Sequence, residues 1–229
     1  MVKRIKKITK SKPTRERKRI IVVGTEGNNK TEETYFHMLE KKQNKYHLIF
    51  AEGNDTDPVN IVKNTLSRAK AEELVYKQGD MAVSIFDLDV DVTKKEQLQE
   101  AKEISRGENI CIVTSNPCFE LWYLEHFGFT SKPFNSSTDL IAELKKHIPT
   151  YQKNQLDFET LYPLTKGAIK NCDALDKYHE KNGSNSDKEF NNPRTNVYEL
   201  VRTIIEETGS GTIRKEGCKS DQKNKQALQ

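Results

Sequence analysis

A chain of 229 residues, 34% hydrophobic and 31% charged, has room for one large domain with an unusually polar surface. No window approaches the roughly 18 consecutive apolar residues of a membrane span, and no apolar stretch follows the basic N-terminus as a secretory signal requires. Four cysteines without C-x-x-C spacing and five scattered histidines argue against structural zinc and for a reduced, cytoplasmic protein. The net charge of +4 conceals an asymmetry. Residues 1–19 carry +9 and residues 209–229 carry +3, so 20–208 carries −8. A basic arm suits contact with nucleic acid by counterion release, whereas the acidic body repels phosphates unless a cation intervenes.

In chain order, Arg19-Ile-Ile-Val-Val-Gly24 reads as a strand buried on both faces, the mark of a parallel sheet. After the turn Thr25–Lys30, a helix over Thr31–Lys42 places Tyr35, Phe36 and Leu39 at helical spacing, with Thr31 as its N-cap. His47–Ala51 is a second strand. Pro58 opens a helix with Ile61, Val62, Leu66 and Ala69 on one face. Met81–Phe86 is a third strand, Lys94–Ser105 a charged helix and Ile110–Val113 a fourth strand. Asn116-Pro117 is an N-cap with proline at the first helical position, opening an apolar helix over Cys118–Phe127. Helices are expected at Ser137–Lys146, Gln155–Tyr162, Thr165–Lys181 and Thr195–Glu207, this last capped by Thr195.

The alternation of strand and helix predicts an α/β fold: a parallel sheet with flanking helices and a C-terminal helical extension packed on it. The expected division is a disordered basic arm at 1–18, an α/β core at 19–128, the extension at 129–208 and a disordered tail at 209–229.

The acids fall at informative places. Glu26 follows strand one, and Asp87, Asp89 and Asp91 follow strand three in Ile-Phe-Asp-Leu-Asp-Val-Asp. Both are strand carboxyl ends, where ligands bind in such sheets. Alternate residues of an extended chain share a face, so Asp87 and Asp89 can converge. Carboxylates with little histidine or thiol suit a hard cation, Mg²⁺ or Mn²⁺. Gly24 and Gly27 permit a tight turn or close ligand approach beside Glu26. The loop lacks the G-x-x-x-x-G-K-[ST] spacing of a phosphate-cradling loop, which argues against ATP hydrolysis. Glu120 is read on the helix face of Asn116, as a metal ligand or as an acid stabilising the helix N-terminus. His126 lies at the end of that helix, as a substrate contact or a structural residue. Lys166 and Lys170, an i, i+4 pair, and Arg194 are candidates for neutralising a substrate phosphate. Phe119, Trp122, Tyr123, Cys111 and Cys118 read as core.

A Glu-Gly turn after strand one with Asp-x-Asp after strand three resembles the Toprim domain. More closely, the chain resembles the RloB-like family in Thr25-Glu-Gly, Thr31-Glu32, Tyr35-Phe36, Ile85-Phe-Asp-Leu-Asp89, Thr114-Ser-Asn-Pro-Cys-Phe-Glu-Leu-Trp-Tyr-Leu-Glu-His126 and Asn192-Pro-Arg-Thr-Asn-Val197. The resemblance implies a Toprim-like fold and an effector of a bacterial two-gene anti-phage system, encoded beside an SMC/ABC-like or AAA ATPase. It further implies a metal-dependent nuclease acting on RNA, with tRNA preferred and a homodimer left open. Glu26, Asp87 and Asp89 would be catalytic and metal-binding, with Asp91 and Glu120 as further ligands. The contrasting expectation is a non-catalytic sensor or partner subunit whose acids bind metal to order an interface.

Overall fold

The computed structural model describes residues 17–27, 30–91, 93–155, 157–183 and 188–206. The tail expected at 209–229 lies outside them, as does the basic arm apart from Arg17 and Lys18. The strands are β1 (Arg19–Gly24), β2 (Tyr46–Phe50), β3 (Met81–Asp87), β4 (Ile110–Asn116) and the short β5 (Arg194–Thr195). They form one sheet in the order β2-β1-β3-β4-β5. All pairs are parallel except β4 with β5, which is antiparallel through Ser115–Thr195 and Asn116–Arg194. The fold is therefore α/β, as expected, with an antiparallel edge that the sequence reading placed in a pre-helix segment. Two residues are too few to show a strand period.

Strand parity sorts the core. Ile21, Val23, Val83, Ile85, Cys111 and Val113 share one face with α1 (Thr31–Glu40), α4 (Glu120–Leu124), α5 (Ser137–Leu144), α6 (Phe158–Leu161), α7 (Thr165–Lys181) and α8 (Val197–Ile205). On the other face Ala82 and Ile110 pack with α2 (Pro58–Ala71) and α3 (Lys94–Glu108) through Val59, Val62, Ala69 and Ala101. Side chains of successive strand residues alternate, so each strand contributes to both layers. Phe119, Trp122 and Tyr123 are fully buried, as the sequence predicts, and Tyr35 packs edge-on against Phe119 and Trp122. Among the described residues no helix is long and apolar enough to cross a membrane.

Several expected caps are corrected by local hydrogen bonding. Asn116 does not cap a helix: it ends β4, and the helix starts only at Glu120. Its Oδ1 accepts the Val90 N–H at 3.1 Å, and its Nδ2 donates to the carbonyls of Phe190 and Asn191. Thr31 is the first residue of α1 and hydrogen-bonds Asn154 through its hydroxyl. Thr195 lies in β5, and Asn196 occupies the cap position of α8 while its side chain pairs with the main chain of β4, accepting Thr114 N–H and donating to Ile112 O. Asp57 and Pro58 open α2 as proline at the first turn favours.

At the amino end of the sheet, Asp80 is held by four donors. Arg17 grips it bidentately at 3.0 and 2.9 Å, and the N–H groups of Ile20 and Val75 add 2.8 and 2.9 Å. Burial alone would raise its carboxyl, but the Arg17 guanidinium and the two N–H groups hold it below the ordinary value. Asp80→Ala is expected to cost about 3 kcal/mol in urea unfolding, since it leaves the Arg17 guanidinium and the N–H groups of Ile20 and Val75 without their shared acceptor. A carboxyl depressed in the folded state stabilises above about pH 4 and loses that contribution as the pH falls through its folded value. The variant's deficit should accordingly shrink in acid.

Candidate functional site

The strand order reverses between β1 and β3: β2 lies on one side of β1, and β3 and β4 on the other. The two crossing helices, α1 and α2, leave on opposite faces, which opens a crevice at the carboxyl ends of β1 and β3. Glu26 follows β1 and Asp87 ends β3, so topology alone brings them to the crevice. Glu26 Oε1 accepts the Asp87 N–H at 3.3 Å. Gly27 permits this by close approach: its N–H bonds Asp55 O at 3.1 Å, and a Cβ there would collide with the main chain of Gly53 and Asn54.

Asp87 has the parity of Val83 and Ile85 and so belongs to the face of α1 and α4. Those helices bring two more acids. Glu32, in the first turn of α1, and Glu120, which begins α4, are both fully buried. Asp87 is 4% exposed, and its Oδ1 has no hydrogen-bond partner. Burial, with the charges of Glu32, Glu26 and Glu120, pushes its carboxyl well above the ordinary value. Burial likewise pushes Glu32 up to about 8, reinforced by Glu120 and Glu26, and raises Glu26 against the pull of Lys94. Glu120 Oε1 accepts the Tyr151 hydroxyl at 2.8 Å, while its Oε2 has no partner.

Asp89 does not share the face of Asp87 through an extended chain. The strand ends at Asp87, and Asp89 and Val90 take φ of +52° and +60°. The left-handed region is costly for a β-branched residue, and the Val90 N–H is held there by Asn116. Asp89 is thus turned outward, where it accepts from Lys94 Nζ at 2.8 Å and Ser137 Oγ at 3.0 Å. Asp91 Oδ1 accepts from the Thr93 hydroxyl and N–H, which keeps its carboxyl below the ordinary value and makes it the brace of its own turn.

Two lysines complete the site. Lys94 Nζ donates to Asp87 O at 2.9 Å and lies 4.0 Å from Glu26 Oε1. Lys153 is exposed in a loop fastened to the acid Glu120 by Tyr151 and to Thr31, the residue before Glu32, by Asn154. Burial opposes its charge, but Glu120, Asp87 and Glu32 raise its ammonium above the ordinary value.

The other candidates lie apart. Lys166 and Lys170 are exposed on α7, and among the described residues no hydrogen bond or ion pair joins them to the acids. Arg194 Nε pairs with Asp176 at 3.2 Å and lines a polar cavity of about 210 Å³ with Asp176, Lys177, His179 and Glu180. His126 is buried; its Nδ1 donates to Trp122 O at 2.8 Å, and burial lowers its imidazole to about 4. Glu32, Lys94 and Lys153 escaped the reading as site residues. Glu32 was visible: it continues the stripe of Tyr35, Phe36 and Leu39 at i+3, i+4 and i+7, so it is an acid on an apolar face.

The donor set fits a hard cation in kind, since it is all oxygen, and two buried carboxylate oxygens, Asp87 Oδ1 and Glu120 Oε2, lack donors. Among the described residues no three His, Cys, Asp or Glu side chains stand in a ready cation-holding arrangement; Lys94 supplies the positive charge. A doubly wound sheet with buried carboxylates at its switch point defines the class. Residues 21–204 match the family described as RloB-like protein, and the chain belongs to it. No curated protein and no solved structure matches the chain.

The raised carboxyls carry a pH signature. Glu32 titrates near 4.3 unfolded and at about 8 folded, so the metal-free fold loses stability as pH rises across that window. Glu32→Gln is expected to melt higher than the wild type at pH 8 by about 3 °C or more, the shift of roughly 1 kcal/mol in a chain of this size. At pH 5 calorimetry should find the two nearer to equal.

Proposed function

We propose that this protein is a divalent-metal-dependent endonuclease, the effector of a bacterial anti-phage system, acting on RNA and preferentially on tRNA. The observation that carries the reading is Asp87. It is buried, raised by that burial and by the neighbouring carboxyls, and left with an oxygen that no donor reaches. A site built this way is poorly suited to holding the fold and well suited to holding a cation.

Asp87 and Glu26 would hold Mg²⁺ or Mn²⁺, with Glu120 and Glu32 completing an acidic wall and Asp89 at its outer rim. When bound, such an ion neutralises charge on a phosphodiester and makes a water more acidic. Glu26, whose carboxyl burial raises, would either complete the metal's oxygen set or take and pass a proton during the reaction. Lys153, on its fastened loop, offers a cation to a substrate phosphate. The preference for RNA, the defence role and the partner ATPase rest on the family resemblance, and the cytoplasmic location on the cysteine pattern and the sequence that follows the basic N-terminus. Basic residues 1–19 suit the same polyanionic substrate.

The test incubates the purified protein with tRNA, single-stranded RNA and duplex DNA, with and without Mn²⁺ or Mg²⁺. The expected result is metal-dependent cleavage of RNA that Asp87→Asn reduces at least about 100-fold. The urea midpoint of that variant should equal or exceed that of the wild type, because a neutral amide replaces a strained carboxyl. Intact nucleic acid in every lane, with loss of binding to the partner ATPase in the variant, would favour the non-catalytic subunit instead.

A further inference from the structure

Lys94 is oddly placed for a helix. It is the first residue of α3, where the helix dipole favours acids over cations. Its stem reaches back across the Asp89–Asp91 turn, and its side chain is only 17% exposed. The ammonium there meets three oxygens: Asp87 O at 2.9 Å, Asp89 Oδ2 at 2.8 Å and, more loosely, Glu26 Oε1 at 4.0 Å. This is an oxygen shell of the kind that a hard cation takes. One charge does not satisfy the centre, since Asp87 Oδ1 and Glu120 Oε2 stay without donors.

We propose that the Lys94 ammonium is the resident counter-cation of the acidic centre and gives up its place to a divalent ion. The inference rests on the metal-binding reading above and assigns Lys94 a role within it. A divalent ion held by Asp87 and Glu26 comes within a few ångströms of a like charge, and the two cannot share one set of oxygens. Lys94 has four rotatable side-chain bonds and can leave, whereas the main-chain carbonyl of Asp87 is fixed by β3. The tethered cation keeps the acids together in the metal-free protein. It also sets the concentration at which metal enters, since every binding event must displace it.

The experiment uses the full chain, freed of metal with a chelator. Mn²⁺ is titrated by calorimetry into wild type, Lys94→Met and Asp87→Asn, and melting is followed with and without Mn²⁺. Lys94→Met is expected to bind Mn²⁺ about tenfold tighter, the effect of one neighbouring charge on a carboxylate site. Without metal it should melt below the wild type, and at saturating Mn²⁺ the gap should close. Equal or weaker Mn²⁺ binding by Lys94→Met overturns the proposal. The metal-binding reading survives that result if Asp87→Asn has lost its Mn²⁺ binding. A wild type that binds no Mn²⁺ overturns both. If Lys94→Met cannot be obtained folded without metal, Lys94→Gln, which keeps a donor for Asp87 O but no charge, serves in the same comparison.

Discussion

Burial of a carboxylate at the end of the central strand is the constraint around which the carboxyl edge of the sheet is arranged. Asp87 cannot turn to solvent, because its parity is that of Val83 and Ile85, which face α1 and α4. The same parity makes those helices its neighbours, and each presents an acid, Glu32 or Glu120, on its buried side. Loss of water and the neighbouring charges raise the carboxyls of Asp87 and Glu32 there. The two lysines and the Tyr151 loop are then best understood as responses to that charge. Tyr151 donates to Glu120, and Lys94 donates to the carbonyl of Asp87.

The opposite end of the same strand shows what this chain does with a buried aspartate that serves structure. Asp80, immediately before β3, receives four hydrogen bonds and is held below the ordinary value. Asp87, seven residues on, has an oxygen without a donor and is raised. One strand thus carries a satisfied carboxylate at its amino end and an unsatisfied one at the end where doubly wound folds bind ligands. The contrast separates the two roles more sharply than the count of acids does.

Much of this was legible in the sequence. The four parallel strands announced themselves as short aliphatic runs, and Glu26 and Asp87 were placed at one edge by the strand–helix alternation alone. The shared face expected for Asp87 and Asp89 fails because the strand period does not continue past the end of β3; two left-handed residues, Asp89 and Val90, end it. The role of Asn116 was hidden because an Asn-Pro pair reads locally as a helix start, whereas its partners, Val90, Phe190 and Asn191, are distant in sequence. Lys153 had no sequence signal, since its position over the acids depends on a long-range hydrogen bond from its neighbour Tyr151. Charged surface pairs such as Lys166 and Lys170 are visible in any helix and say little about where the helix points.

The family-specific segments divide in the same way. In Ser115-Asn-Pro-Cys-Phe-Glu120, Asn116 clamps the turn after β3 to the segment around Phe190, Phe119 fills the core, and only Glu120 adds a carboxyl to the acids. In Asn192-Pro-Arg-Thr-Asn196, Asn192 exchanges two hydrogen bonds with the main chain of Phe134, Arg194 pairs with Asp176, and Asn196 pairs with the main chain of β4. These segments are a clasp that fixes the carboxyl end of β4 and, through Asn116, the geometry of the turn after Asp87. Their demands on sequence are strict because each amide must both donate and accept at fixed main-chain partners. A match across them therefore speaks first to the scaffold. What the carboxyl edge can bind depends on the few acids and lysines that the clasp holds in place, since function belongs to a site and not to the fold that carries it.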